Sequence, residues 1–202
     1  MEIIIASKNV NKVRELRTAL KDKVDCDILS LHPFPDYKAP EETGKTFAEN
    51  AKIKALHATK TLGKTVVADD SGLIVPILEG KPGVFSKRYA GENGSDLENR
   101  KKLLREMETY SGIDRFAYFT CCLTLAKPDG TYHTFEGTCE GYITKEERGS
   151  QGFGYDAIFA KHDYDKTFGE IPEHVKLQIS HRGKALEKLI AFFLSEPKTC
   201  HA

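Results

Sequence analysis

Two adjacent carboxylates, Asp69 and Asp70, are the residues whose types and spacing are best suited to chemistry. They follow an apolar segment, and the sequence predicts strands over residues 65–68 and 73–78 with a turn over residues 69–72 between them. Successive side chains of a strand point to opposite faces, so we expect the two carboxylates to have different roles. Taken alone, the same four residues are equally typical of a solvated turn.

A proline-bounded loop supplies a second pair of carboxylates, Glu41 and Glu42. Hard cations such as Mg²⁺ favour one or two carboxylates together with waters and phosphate oxygens. One glutamate from this loop and one aspartate from the pair at 69–70 would suffice for such a site. Without the other motifs, two loop glutamates are more often surface charge.

Residues 7–12, between the first predicted strand and the first predicted helix, could hold a polyphosphate. They are Ser7, Lys8, Asn9, Val10, Asn11 and Lys12. Backbone N–H groups at a helix start attract anions, and the two lysines add positive charge. The glycines of a Walker A loop are missing. An ordinary Asn-capped helix start is the more common explanation of the segment by itself.

Residues 152–156 combine glycines, which let a backbone approach a ligand, with aromatic rings that could stack on a base. The segment reads Gly152, Phe153, Gly154, Tyr155 and Asp156. The carboxylate of Asp156 could then accept from the base or the sugar. A Gly-aromatic turn packed on the core is the competing interpretation.

His181 and Arg182 open the last predicted helix, where cations are electrostatically misplaced. That mismatch indicates that they serve a ligand, because both can donate hydrogen bonds to a carbonyl or phosphate oxygen. Lys176, five residues before His181, could reach the same site. A surface His-Arg pair is about as common when nothing else is considered.

The elements that must position these residues follow from periodicity and capping signals. We predict strands over residues 2–6 and 24–31, and a β-hairpin whose strands cover 116–127 and 131–142. We predict four helices: the first over 10–21, the second from Thr46 to Gly63, the third starting at Ser95 and the fourth over 181–194. The third helix is expected to turn Leu97, Leu104 and Met107 inward. The architecture is therefore mixed α/β with a long β-hairpin, ending in a frayed tail over 196–202.

Composition limits the classes of function. The 202 residues are 40% hydrophobic, which suits one domain over residues 1–202. Lys plus Arg and Asp plus Glu both number 30, so no net field favours nucleic acid or an anionic membrane. No leader segment or apolar run of ~20 residues is present, which predicts a cytoplasmic protein. Five cysteines without a C-x-x-C pair indicate neither a disulfide framework nor a zinc site.

Six ordered motifs resemble the inosine triphosphate pyrophosphatase family, also called Ham1-like, from residue 1 to about 194. They are Ser7-x-Asn9-x-x-Lys12, a segment at 41–51 that begins Glu41-Glu42-Thr43-Gly44, Ala68-Asp69-Asp70-Ser71-Gly72-Leu73, a segment at 82–91 that begins Pro82-Gly83-Val84-Phe85-Ser86, Gly152-Phe153-Gly154-Tyr155-Asp156, and Ile179-Ser180-His181-Arg182-Gly183-x-Ala185. Each motif is ambiguous alone, and their joint order and spacing favour function over chance.

The resemblance implies an elongated, two-lobed mixed β-sheet flanked by helices, with a substrate cleft between the lobes and a homodimer. It implies Mg²⁺-dependent hydrolysis of ITP, dITP and XTP to the monophosphate and pyrophosphate. The implied roles are Glu41 and Asp70 for Mg²⁺, Asp70 also as the base, residues Ser7 to Lys12 and Lys54 for phosphates, and Ser71, Phe153, Gly154, Tyr155, Asp156, Lys176, His181 and Arg182 for the rest of the nucleotide. Asp70 and Ser71 are expected to face the nucleotide, with Asp69 in a supporting part.

Two other hypotheses stay open at this point. One is a pyrophosphatase for another unusual nucleotide, such as a modified pyrimidine triphosphate. The other is a nucleotide-binding regulatory module without catalysis, although Glu41, Asp69 and Asp70 are all in place. A nucleic-acid-binding role is disfavoured by the balanced charge and the lack of a basic stripe.

Overall fold

The computed structural model describes residues 2–196, through which one six-stranded mixed sheet runs. Its strands are β1 (Glu2–Ile5), β2 (Asp27–Leu29), β3 (Thr65–Ile74), β4 (Phe116–Ala126), β5 (Tyr132–Ile143) and β6 (Phe159–Lys161). They lie in the order β2-β1-β3-β4-β5-β6. β1 pairs in parallel with β2 and β3, whereas β3 to β6 are antiparallel. The predicted mixed sheet and the antiparallel hairpin are confirmed.

Within residues 2–196, five α-helices flank the sheet: α1 (Val10–Leu20), α2 (Phe47–Leu62), α3 (Asp96–Glu106), α4 (Glu173–Ile179) and α5 (His181–Ser195). Side-chain caps explain where four of them begin, and for α1 the cap is the Asn9 side chain. Thr46 and Ser95 each form a capping box, and the Ser180 hydroxyl accepts from the Gly183 N–H. Gly63 ends α2 in the left-handed conformation that glycine adopts without strain. These predicted helix ends are confirmed.

The predicted turn at residues 69–72 is wrong, because β3 continues through it. Along this stretch β3 pairs with β4, with Asp70 opposite Cys122 and Ser71 opposite Cys121. Pairing with a distant strand satisfies the backbone and overrides the local turn signal. The strand ends at Ile74, and Pro76 begins a short 3₁₀ turn where a second strand was predicted.

Smaller departures concern the ends and faces of elements. β2 has only three residues, far fewer than predicted. In α3, Leu97 is exposed rather than inward, and Leu103 is fully buried beside Met107. The predicted tail lies outside the described residues except for Glu196, whose carboxylate accepts from the Lys127 ammonium at 2.8 Å. Among residues 2–196 no helix combines the length and apolarity needed to cross a bilayer.

Two of the four hydrophobic clusters in the described residues lie at opposite ends of β3 and β4, in keeping with the expected two lobes. Near one end, Val67 and Leu123 pack with residues of α1 and α5. Near the other end, Leu73 and Phe119 pack with α3 and β6. The middle of β3 lies between these cores, and its two faces meet α2 on one side and α5 on the other. Residues 69–72 are therefore held at the junction of the lobes.

Candidate active site

A cavity of about 710 Å³ opens at the middle of β3. Most residues predicted from sequence line it: Ser7, Lys8, Asn9, Lys12, Glu41, Lys54, Asp70, Ser71, Phe153, Gly154, Tyr155, Asp156, Lys176, His181 and Arg182. Val10 and Asn11 are not among the lining residues. They form the first turn of α1, where the Asn11 N–H donates to the Asn9 side chain and the Val10 side chain is 76% exposed.

Asp69 and Ser71 share one face of β3, and Asp70 lies on the other. The Asp70 carboxylate accepts from the Lys54 ammonium of α2 at 2.7 Å. The Asp69 carboxylate accepts from Arg182 Nε of α5 at 2.8 Å and from the Ser71 hydroxyl at 3.0 Å. Asp70 and Ser71, which were both expected to face the nucleotide, both line the cavity, although they lie on opposite faces of the strand.

Asp70 is a buried carboxylate that is hydrogen-bonded to the Lys54 ammonium, with Lys12 as a more distant cation. Burial raises the pKa of Asp70, and the ion pair with Lys54 offsets only part of that effect. Burial would lower the pKa of Lys54, but its two carboxylate partners, Asp70 and Glu42, raise it instead. Lys54 therefore stays protonated, and Asp70 is a better proton acceptor than an exposed aspartate.

Glu42 of the proline-bounded loop lies on the same side of the cavity as Asp70. Lys54 bridges Glu42 at 3.1 Å and Asp70 at 2.7 Å, so a positive charge already lies between a loop carboxylate and the strand carboxylate. Glu41 also lines the cavity. Among residues 2–196, no three Asp, Glu, His or Cys side chains converge as a ready metal site. The donor set fits a hard cation that takes its remaining ligands from water and phosphate.

Asp69 is more fully buried and doubly paired. Burial alone would raise the pKa of Asp69, but Arg182 and Lys12 outweigh it and hold that pKa well below its ordinary range. The Cys121 thiol also donates to this carboxylate, at 3.2 Å. Asp69 is therefore a permanently charged anchor for the cations of the site, in agreement with its predicted supporting part.

Glu15 of α1 joins two predicted site cations, and sequence reasoning missed it. Its carboxylate accepts from the Lys176 ammonium at 3.1 Å and from Arg182 Nη1 at 2.6 Å. Only 5% of Glu15 is exposed. A signal was available, because Glu15 follows Lys12 by three residues and directly precedes Leu16 on the buried face of α1.

The two aromatic rings of the segment 152–156 lie in different environments. The Tyr155 ring is buried, and its hydroxyl donates to the Ser86 carbonyl at 2.8 Å. The Phe153 ring is only partly buried, with the Lys176 ammonium 4.9 Å from its centroid. Of the two, Phe153 is the ring that a base can stack on.

Asp156 fixes this segment to the charged network. Its Oδ2 accepts from the Phe153 N–H at 2.8 Å and from the Lys176 ammonium at 2.6 Å. Burial raises the pKa of Asp156 despite the Lys176 charge. One of its oxygens is therefore already engaged by the protein itself.

His181 is a neutral imidazole inside the cavity wall. Its ring stacks on Phe119, with centroids 4.6 Å apart and an interplanar angle of 12°. Burial, together with Arg182 and Lys176, lowers the pKa of His181 well below its ordinary value. Among the described residues its Nδ1 has no hydrogen-bond partner. Such a group can meet a polar atom of a ligand.

The contacts of Arg182 use only some of its N–H donors. Its Nε, Nη1 and Nη2 donate to Asp69, Glu15 and Ser71, the last at 2.9 Å. A guanidinium carries five N–H bonds, so these three contacts leave two. Together with His181, the Arg182 side chain can present N–H donors to a keto oxygen.

Some lining residues had no functional signal in the sequence beyond the fourth motif. They are Ser86, Lys87 and Arg88 of the 3₁₀ segment Gly83–Arg88, and Phe119 of β4. Phe119 reads as an ordinary apolar strand residue. Its role as the platform under His181 depends on the approach of α5, which local sequence does not reveal.

The model of the Ham1 family matches residues 3–192 of the chain. A dITP/XTP pyrophosphatase of Protochlamydia amoebophila is 53% identical over 193 residues, covering 95% of this chain and 97% of that protein. One of Chlamydia abortus is 50% identical, covering 95% and 94%. A Ham1 protein structure from Coxiella burnetii has a TM-score of 0.88 at 40% identity, covering 97% of this chain and 100% of the other. The Staphylococcus aureus Ham1 structure has a TM-score of 0.86 at 42% identity, covering 98% and 100%.

Proposed function

The chain belongs to the Ham1 family, and on that premise we propose that it hydrolyses ITP, dITP and XTP to the monophosphate and pyrophosphate. One observation carries the proposal. The cavity that holds Lys12, Lys54 and Asp70 also holds His181 and Arg182, so phosphate-binding cations and keto-directed donors line one space. A nucleotide that spans the cavity meets both sets. By this activity the protein removes deaminated purines before polymerases use them.

We propose that the start of α1 and Lys54 bind the triphosphate of the nucleotide. The Asn9 side chain caps α1, and Lys8 and Lys12 line the cavity beside it. Lys12 and Lys54 are each paired with a carboxylate of β3. A triphosphate can share these ammonium groups, since each carries three N–H donors. The lysines then neutralise charge on the leaving pyrophosphate.

We also propose Mg²⁺ as the cofactor, with Glu41 and Asp70 as ligands. Bound Mg²⁺ would neutralise charge on the phosphate oxygens and orient them for displacement. Glu42 also lines the cavity and accepts from Lys54 at 3.1 Å, so it is the alternative ligand from the loop. The Lys54 ammonium contacts one oxygen of Asp70, Oδ1, at 2.7 Å, and its remaining N–H donors can meet a phosphate oxygen.

Asp70 is proposed as the base that activates water. An ordinary aspartate has a pKa of about 3.9, which makes it a weak base for bulk water. Burial raises the pKa of Asp70 and so strengthens it as a proton acceptor. Its position beside Lys54 keeps it near the phosphates. Asp69, held by Arg182 and Lys12, is not available for that task.

Selection of the nucleobase depends on hydrogen-bond donors that point at the 6-keto oxygen of hypoxanthine or xanthine. His181 and Arg182 supply them, and Phe153 supplies a stacking surface. Adenine has an amino group at that position, which would leave a buried donor unpaired. A buried unpaired donor disfavours ATP more strongly than a small loss of contact would.

A panel of nucleotides tests this function. We expect purified protein to turn over ITP and XTP much faster than ATP, dUTP or dTTP. Preference for dUTP or dTTP would instead support a pyrimidine pyrophosphatase. Binding of ITP without any turnover would support a regulatory module. Salt-sensitive DNA binding without ITP turnover would support a nucleic-acid role.

Two further properties are proposed with the function. The chain is proposed to act as a homodimer, which light scattering after size-exclusion chromatography would test. It is also proposed to be cytoplasmic, and fractionation of source cells would test that assignment. We propose no membrane or nucleic-acid partner, because charge is balanced over the sequence.

A further inference from the structure

Helix α3 binds both polar groups of one residue in the segment that carries Phe153. The Gly154 N–H donates to Asp96 Oδ2 at 2.7 Å, and the Gly154 carbonyl accepts from Arg100 Nη1 at 2.9 Å. Asp96 and Arg100 are four residues apart and therefore lie on the same face of α3. We call this pair of contacts the α3 clamp. None of the roles assigned above uses it.

Other contacts hold the residues of the α3 clamp in place. Asn99 of α3 is 2% exposed, accepts from the Ala90 N–H at 2.7 Å and donates to the Lys87 carbonyl at 3.0 Å. The guanidinium of Arg100 is held from its other side by Glu147 at 3.0 Å. Two separate loops therefore fix the helix surface that reaches Gly154.

Gly154 needs such external contacts more than most residues. Its φ is +60°, a left-handed conformation that glycine adopts freely, and glycine is also the most flexible residue. On one side Tyr155 is tied to Ser86, and on the other the Phe153 N–H is tied to Asp156. The Gly154 peptide between them has Asp96 and Arg100 as its partners.

We propose that Asp96 and Arg100 are positioning residues for the nucleobase end of the substrate. By fixing the Gly154 peptide, they hold the Phe153 ring beside Lys176 and Arg182, where a purine can stack. The proposal rests on the proposed function for the identity of the ligand. The clamp does not contact the strand carboxylates, so its loss weakens substrate binding and leaves the chemical step nearly unchanged.

Alanine variants of the clamp test the proposal, with Arg105→Ala as the matched control on the exposed part of α3. Hydrogen exchange of peptides covering residues 150–157 is measured first. We expect faster exchange in Asp96→Ala and Arg100→Ala and unchanged exchange in Arg105→Ala. With ITP, both clamp variants should raise KM about tenfold, with kcat within about twofold. Asp96→Asn should recover most of the loss, because its amide oxygen still accepts from Gly154.

Two results would overturn the proposal. One is wild-type exchange and wild-type KM in both clamp variants. The other is a fall in kcat at unchanged KM that follows a fall in melting temperature, since that pattern reports a loss of folded protein. If the wild type itself fails to hydrolyse ITP, the proposed function fails, and the exchange measurement still decides whether Asp96 and Arg100 fix the segment.

Discussion

Asp69 and Asp70 are neighbours in the chain, yet they bind cations from helices on opposite faces of the sheet. Asp69 accepts from Arg182 Nε of α5 at 2.8 Å, and Asp70 accepts from Lys54 Nζ of α2 at 2.7 Å. Strand alternation therefore separates two carboxylates into different electrostatic environments. The pKa of Asp69 is held well below its ordinary range, whereas burial raises the pKa of Asp70. Only the second environment suits a proton acceptor.

Replacement of Asp70 tests its role directly. Asp70→Asn should lower kcat for ITP at least about a hundredfold, because an amide cannot take the proton. Binding of ITP, measured by calorimetry, should stay measurable. The exposed Asp25→Asn serves as the control. A fully active Asp70→Asn protein would show that Asp70 is not the base.

Loss of Glu15 should destabilise the fold. Glu15→Ala leaves Lys176 and Arg182 buried with fewer partners, which should lower the free energy of unfolding by about 3–5 kcal/mol. Glu173→Ala is the matched control, because its ion pair with Arg14 is about half exposed and should matter by less than about 1 kcal/mol. Urea unfolding measures both. Equal, small effects in the two variants would contradict the buried network described for Glu15.

The buried His181 predicts a pH dependence of stability. Its folded pKa lies well below the unfolded value of about 6.5. As pH falls below about 6.5, the unfolded chain binds a proton that the folded chain excludes, so the free energy of unfolding decreases by up to about 1.4 kcal/mol per pH unit. Above that pH the imidazole is neutral in both states and the full stability is present.

Urea unfolding at pH 7.5 and 5.5 measures this effect. The wild type should lose more stability between the two pH values than His181→Gln does. His174 lies exposed on α4, and His174→Gln should behave as the wild type. An identical pH dependence in wild type and His181→Gln would show that the imidazole titrates alike in both states.

Replacement of Gly72 should also destabilise the fold. The lack of a side chain at Gly72 lets the 3₁₀ segment Gly83–Arg88 approach β3 closely. A Cβ at this position would collide with Ser86 Oγ and crowd the Gly83 carbonyl and the Phe47 ring. Gly72→Ala should therefore cost about 1–3 kcal/mol of stability. It should also reduce ITP turnover, since Asp70 is two residues away on the same strand face. Stability and turnover both at wild-type levels would rule out the close approach.

Local sequence patterns predicted much of the fold. Capping boxes at Thr46 and Ser95, the left-handed Gly63 and the hairpin turn at Pro128 to Gly130 depend on nearby residues, so the chain order reveals them. The prediction of a turn at residues 69–72 was wrong because the structure there depends on residues far away in the sequence. β3 is continuous there because β4, some fifty residues later, supplies its hydrogen-bond partners.

The candidate site shows the same division. The resemblance to a family pattern predicted fifteen of the residues that line the cavity, and most of them lie within its six motifs. Glu15, Phe119 and the α3 clamp were missed, since each acts through a partner far away in sequence. Glu15 bonds Arg182, 167 positions later, and Asp96 bonds Gly154, 58 positions later. Only the packed chain reveals such contacts.

The most direct test of the proposed activity is product analysis with ITP as substrate, with and without Mg²⁺. We expect IMP and pyrophosphate in equal amounts when Mg²⁺ is present, and almost no product when it is removed by a chelator. XTP should behave in the same way, and Asp70→Asn should form product at least about a hundredfold more slowly. Release of orthophosphate and IDP, or no release under any condition, would contradict the account.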